Sequence, residues 1–249
     1  MNALKYSLNP FGGAVIESLS LPDYPDDFTA GLAETIRIMN DENIKVVWLS
    51  IPIEKSLLIP GAVASGFIYH HAGSGYLELT LSLQKDAYVP PFATHYAGAG
   101  GVVIDDDGNL LIISEKYRGN YKKHYKLPGG TLNEGEHISD AVCREVLEET
   151  GIRTEFQFLS SFRQCHGYRY GKSDIYFVCR LKPLNRNIII DTLEIEEALW
   201  MPVEKYLASP ETHPFNRRIV ESALGGNGIR LEEIEGYGTK DTHEMLFLE

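Results

Sequence analysis

Basic residues are scarce in this chain: 23 Lys and Arg stand against 35 Asp and Glu, a formal charge of −12. A long nucleic-acid polymer is bound mainly through basic surface, so this balance argues against one as ligand and leaves small phosphorylated molecules open. Cysteine is scarcer still. Cys143, Cys165 and Cys179 are odd in number and lack metal-ligand spacing, which argues against a disulfide framework and fits a reducing cytoplasm. No apolar run approaches the roughly 20 residues of a membrane span. The first twenty residues have no basic start, continuous apolar stretch or cleavage site of a secretory signal. A soluble chain without a membrane partner is expected.

What is present supports a packed core: 43% of the 249 residues are hydrophobic. Phe28, Leu32, Ile36 and Met39 recur at helical spacing over 26–40, and 44–50 reads as a strand. Residues 54–66 read as helical with Pro60 displacing the start, and 67–69 and 76–83 as strands. Pro90-Pro91 marks a boundary. Beyond it, strands are expected at 101–105, 110–115, 156–163, 174–181 and 199–202, with helices at 139–150 and 216–224 covering the sheet. The expected fold class is α+β: a small α+β domain at 1–92, an α/β/α sandwich with a mixed sheet at 93–225, and a tail at 226–249.

The chemistry concentrates between Gly130 and Ile152, which match G-x5-E-x7-R-E-U-x-E-E-x-G-U, where U is a bulky aliphatic residue. Ala141, Val142, Val146 and Leu147 make the helix amphipathic, and Gly151 provides its stop. Glu145, Glu148 and Glu149 then stand at i, i+3 and i+4, within an arc of roughly 100°. Like charges at that spacing repel, and hard oxygen donors without His or Cys suit Mg2+, with Mn2+ as the alternative. Arg144 lies one turn before Glu148 and can orient it, with Glu136 as a second partner.

This pattern is the Nudix box, and the chain is identified as resembling the Nudix hydrolase family. Tyr69-His-His-Ala72, Gly75-Tyr-Leu77, Gly171-Lys-Ser-Asp174 and Trp200-Met-Pro202 resemble the subgroup of plant Nudix hydrolases and the animal protein encoded antisense to a fibroblast growth factor. The resemblance implies hydrolysis of the diphosphate in a nucleoside diphosphate linked to another moiety, ADP-ribose or an NADH-like dinucleotide first. The alternatives are pyrophosphohydrolysis of oxidised nucleoside triphosphates and a non-catalytic nucleotide sensor. It also implies a metal shell of Glu145, Glu148, Glu149 and a glycine carbonyl, here Gly130 or Gly129. An acidic residue near Trp200 is a further implication, with Glu194 preferred as base over Glu196 and with Glu145 as the alternative.

Arg118 and Lys126 belong to a basic run before the box that could steer a diphosphate, and Arg163, His166, Tyr168 and Tyr170 are candidates to hold phosphate or stack a base. The subgroup places a domain similar to acetyltransferases before the box, yet residues 1–95 carry no acetyl-CoA loop, so a structural, homodimer-forming or substrate-capping role is expected for His70 and His71 there.

Overall fold

The computed structural model describes residues 2–117, 124–234, 239 and 241–248. Two compact units emerge, Met1–Ala93 and Thr94–Glu249. In the first, strands β1 (Tyr6–Leu8), β2 (Ala14–Ile16), β3 (Val46–Pro52), β4 (Ile68–Ala72) and β5 (Tyr76–Ser82) form a sheet in the order β1-β2-β3-β5-β4. Helix α1 (Pro25–Asp41) begins on Pro25, whose fixed φ suits a first turn. It buries Phe28, Leu32 and Met39 in one core with Val47, Leu49, Ile51 and Leu79. The short helix α2 (Ile59–Ala64) carries Pro60 in its first turn, as the sequence suggests.

His70 and His71 lie in a directional chain. His70 Nε2 faces the Pro90 carbonyl at 2.8 Å and must donate to it. Neutral His70 therefore accepts at Nδ1 from His71 Nδ1, 2.7 Å away, and His71 Nε2 accepts from the Tyr76 hydroxyl at 3.1 Å. Phe92 stacks on His71 with centroids 4.2 Å apart.

The second unit holds β6 (His95–Val103), β7 (Asn109–Glu115), β8 (Gly129–Thr131), α3 (Ile138–Thr150), β9 (Thr154–Cys165), β10 (Ser173–Pro183), β11 (Ile195–Pro202), α4 (Val203–Ala208), α5 (Pro214–Leu224), β12 (Ile229–Leu231) and β13 (Leu246–Leu248). Its mixed sheet runs β13-β12-β9-β10-β6-β8, with β10 and β6 parallel, and β11 pairs antiparallel with β7 in a second sheet. Alternation along the strands builds two cores. Ala99, Val103 and Leu111 pack with Val142 and Val146 of α3, whereas Val102, Leu110 and Ile112 pack with Tyr206 of α4 and with Ile219, Val220 and Ala223 of α5. That is the expected α/β/α arrangement. Among the described residues no helix is long and apolar enough to cross a membrane.

Two features depart from the sequence expectation. β6 begins at His95, six residues before the expected strand, through a Gly- and Ala-rich run of low strand propensity. The segment 226–249, expected as a separate tail, instead belongs to the second unit: β12 and β13 extend its sheet, because Ile229 pairs across to Leu159. It also caps the box helix. No side chain of the N-cap residue His137 serves α3; the Ile138 and Ser139 N–H groups donate to the Glu244 carboxylate at 2.8 and 2.9 Å. A carboxylate at a helix N-terminus satisfies orphan donors and complements the dipole. Glu244→Ala is therefore expected to cost about 1 kcal/mol, a fall of roughly 2–4 °C in thermal midpoint. An unchanged midpoint by calorimetry would remove this capping role.

Candidate active site

Helix α3 ends on Gly151, at φ 71°, and sets the box glutamates against the Gly129-Gly130 loop. Arg144 organises the cluster. It donates to Glu136 through Nε and Nη2 at 2.7 and 2.9 Å, to Glu145 and Glu148 through Nη1 at 2.9 Å each, and to the Thr131 carbonyl at 3.2 Å. This planar fork of donors is what a guanidinium offers and an ammonium does not. Through the Arg144 hydrogen bonds, Glu136 is held well below the usual carboxylate range, at about 2.

The other two inward carboxylates are perturbed the opposite way. Glu149 is 7% exposed and accepts from the Gly129 N–H at 2.8 Å. Burial pushes its carboxyl up to about 7, against the pull of Lys126 and the Gly129 N–H and with reinforcement from Glu145 and Glu115. Burial likewise raises Glu145, with Arg144 opposing. Glu145 lies so close over Gly130 that a Cβ there would stand 2.5 Å from its carboxyl carbon, so that position excludes any side chain. Glu148 points outward, its side chain 58% exposed.

Glu145 and Glu149 thus face the glycine pair while Glu148 stays exposed, and among the described residues no three His, Cys, Asp or Glu side chains are gathered to hold an ion. The donor set nonetheless fits a hard divalent cation: oxygen ligands only, partly desolvated, with Glu115, Glu145 and Glu149 lying close enough for one to raise another's pKa.

Beside this cluster lies a cleft of about 370 Å³. Glu115, Lys126, Gly129 and Gly130 line it, as do Arg163, Tyr168, Arg169, Asp174, Tyr176, Phe215 and Asn216. Lys126, ion-paired with Glu115, is fixed by a backbone bridge to Ile113. Arg163 donates to the buried Asp174 at 2.7 Å, and Arg169 lies over the Tyr168 ring at 5.5 Å. The structure therefore brings Lys126, Arg163 and Tyr168 of the expected substrate residues to one cleft.

It does not bring His166 or Tyr170 there. His166 Nδ1 pairs with the Ser173 hydroxyl at 2.9 Å, and Tyr170 is 89% exposed on a left-handed turn residue that aims it outward. Arg118 lies outside the described residues. Glu194 is exposed and its backbone carbonyl accepts from the Lys116 N–H; the carboxylate lining the cleft at that sheet end is Glu115, opposite Ile195. Glu115, Arg169, Asp174, Tyr176, Phe215 and Asn216 were not expected as site residues. Their signal in sequence is slight: Asp174 and Tyr176 alternate on one face of a strand, but nothing local says which face meets the box.

Against known proteins, the NUDIX domain model matches residues 94–223 and a Nudix hydrolase domain model matches residues 4–83. The chain belongs to the Nudix hydrolase family. It is 39% identical over 203 residues to Nudix hydrolase 8 of Arabidopsis thaliana, a match covering 80% of this chain and 55% of that one. To Nudix hydrolase 2 of the same plant it is 39% identical, covering 80% and 72%. To the Homo sapiens protein named nucleoside diphosphate-linked moiety X motif 6 it is 35% identical over 240 residues, covering 93% and 75%. These are the plant and animal relatives expected of the subgroup, and they make the chain a hydrolase by family.

Proposed function

We propose that this chain hydrolyses the diphosphate linkage of a nucleoside diphosphate joined to another moiety, with ADP-ribose or an NADH-like dinucleotide as substrate. The observation carrying this reading is the polarity of the cleft: Glu115 lines its Gly129-Gly130 end, with Glu145 and Glu149 packed against those glycines, while two guanidinium groups and the rings of Tyr168, Tyr176 and Phe215 line the rest. An NADH-like dinucleotide has the complementary build, a dianionic centre flanked by planar groups, and ADP-ribose has the same centre with one planar group. Relatives named as hydrolases of this class support it.

Glu145, Glu148, Glu149 and the Gly130 carbonyl would hold the cation, Mg2+ or Mn2+, which supplies charge neutralisation for the diphosphate and acidifies a nearby water. Arg163 and Arg169 would orient the anionic substrate by charge-assisted hydrogen bonds. Water oxygen attacks one phosphorus, the bridging P–O bond breaks, and a carboxylate takes the water's proton. We assign that base to Glu194, whose backbone is hydrogen-bonded to Lys116 next to the cleft-lining Glu115, with Glu145 as the alternative. The three free cysteines fit a cytoplasmic setting, and the unit Met1–Ala93 is assigned a structural or dimer-forming role.

Product identification with ADP-ribose, NADH and 8-oxo-dGTP in Mg2+ tests the reading: two phosphorylated fragments are expected from one of the first two. Cleavage of 8-oxo-dGTP alone would replace it with the triphosphate alternative, and tight nucleotide binding without turnover would replace it with a sensor. Within the assay, Glu194→Gln is expected to lower kcat on the order of 100-fold or more. Wild-type kcat in Glu194→Gln, with loss in Glu145→Gln, would move the base to Glu145.

A further inference from the structure

Tyr176 stands on β10 opposite Gly98 of β6 on one side and Arg163 of β9 on the other. Its side chain crosses β6 toward the box loop. A Cβ at Gly98 would come within 3.1 Å of its ring, one at Gly100 would overlap its hydroxyl, and one at Gly129 would lie 2.9 Å from that hydroxyl oxygen. Three glycines from two strands thus leave a slot the width of a phenol. Glycine in a strand interior weakens the strand unless something approaches closely, and here that something is Tyr176.

The ring is held from its other side as well. The Arg163 guanidinium lies 5.5 Å from the Tyr176 centroid and 5.7 Å from that of Phe215, and it is tied to Asp174, whose side chain is 8% exposed. Such a clamp removes the ring's rotamer freedom before any ligand arrives. The hydroxyl ends at Gly129, the residue whose N–H holds Glu149, and Tyr176 lines the cleft. Among the described residues no hydrogen-bond partner takes that hydroxyl. A phenol is an O–H donor across the physiological range.

We propose that Tyr176 contacts the substrate: its hydroxyl, docked in the slot of Gly98, Gly100 and Gly129, donates a hydrogen bond to a phosphoryl oxygen of the diphosphate. Arg163 and Asp174 are positioning residues that hold the ring. The proposal rests on the diphosphatase reading above and adds a substrate contact outside the box. A neutral donor beside carboxylates can approach a phosphoryl oxygen without displacing the cation that offsets its charge, and a prepositioned donor spends no energy on reorganisation.

The test compares wild type with Tyr176→Phe, using ADP-ribose and NADH for turnover and the α,β-methylene analogue of ADP-ribose for binding, all in Mg2+. Phenylalanine keeps the ring in its slot and removes only the O–H. The expected result is a loss of about tenfold to a hundredfold in kcat/KM, the range of a hydrogen bond to a charged acceptor, with the analogue's Kd raised at least severalfold. Asp174→Asn, which loosens the clamp, is expected to raise KM more than it lowers kcat. As a readout that packing alone does not move, 3-fluorotyrosine at position 176 is expected to shift its fluorine resonance when the analogue binds. Wild-type turnover and Kd within about twofold in Tyr176→Phe, or an unmoved fluorine resonance on saturation, would overturn the contact while leaving the diphosphatase reading intact. If wild type itself neither cleaves nor binds these compounds, that reading falls and the contact with it.

Discussion

Glu149→Gln is expected to lower kcat on the order of 10³-fold and, in metal-free protein at pH 8, to raise the thermal midpoint. The two effects come from one cause. Glu149 is buried with the Gly129 N–H as its hydrogen-bond donor, and its carboxyl is pushed from 4.5 up to about 7. Between those values the folded chain holds a proton the unfolded chain has already lost, so stability falls as pH rises through the window. Above pH 7 the ionised group costs the fold about 3 kcal/mol. Glutamine keeps the acceptor for Gly129 and carries no charge, so that cost disappears. The gain should be about 5 °C or more at pH 8 in EDTA and close to nothing at pH 4.5. Calorimetry at both pH values checks it; a lower midpoint at pH 8 in the variant would mean that the buried carboxylate stabilises the fold. A site that is unfavourable without its cation and active with it is the usual exchange of stability for function.

Arg144→Met is expected to damage both fold and activity. It removes five hydrogen bonds to three carboxylates and one carbonyl, leaving Glu136 and Glu145, with side chains 15% and 17% exposed, without their cation. Breaking such partly buried pairs costs about 3 kcal/mol, or roughly 6–12 °C in a unit of this size. Activity should fall on the order of 100-fold or more, because Glu145 and Glu148 lose their shared anchor. The acid side carries a separate signature. Glu136 has a folded pKa of about 2, below its unfolded value, so its stabilisation is present above about pH 4.5 and is lost as pH falls toward 2. Wild type should lose stability through that window and Arg144→Met should lose much less. Arg144→Lys should rescue little, since an ammonium cannot span four acceptors. A lysine variant with wild-type midpoint and turnover would contradict the fork's importance.

The box was legible because its chemistry lies along one helix, where fixed offsets become fixed directions. Glu145, Glu148 and Glu149 could be placed on one side of α3, and Arg144 beside Glu136, before any tertiary contact was known. Strands at 101–105, 110–115 and 174–181 were likewise readable as apolar runs, and they fall within β6, β7 and β10. The rest of the cleft was not, because it depends on register. Arg163 meets Tyr176 through the β9 and β10 pairing, Glu115 meets Ile195 across β7 and β11, and Phe215 arrives on α5. Those pairings join residues far apart in sequence, and a one-residue slip would turn every such side chain to the opposite face. The early start of β6 was hidden for a related reason: its glycines weaken the local strand signal, and their cause, the Tyr176 ring, lies on β10. The Glu244 cap reaches α3 from 105 residues away and leaves no local trace. Strands of three residues, β1, β2 and β8 among them, are too short to show a period.

The most direct test of the central claim is the mass of the products when the chain, ADP-ribose and Mg2+ are incubated in 18O water. Hydrolysis of the diphosphate predicts AMP and ribose 5-phosphate in equal amounts, with one 18O per turnover in only one of the two, and product formed on the order of 10³-fold more slowly by Glu149→Gln. Intact substrate after prolonged incubation with ADP-ribose and, in a parallel reaction, with NADH, or fragments formed equally well by Glu149→Gln, would contradict the account.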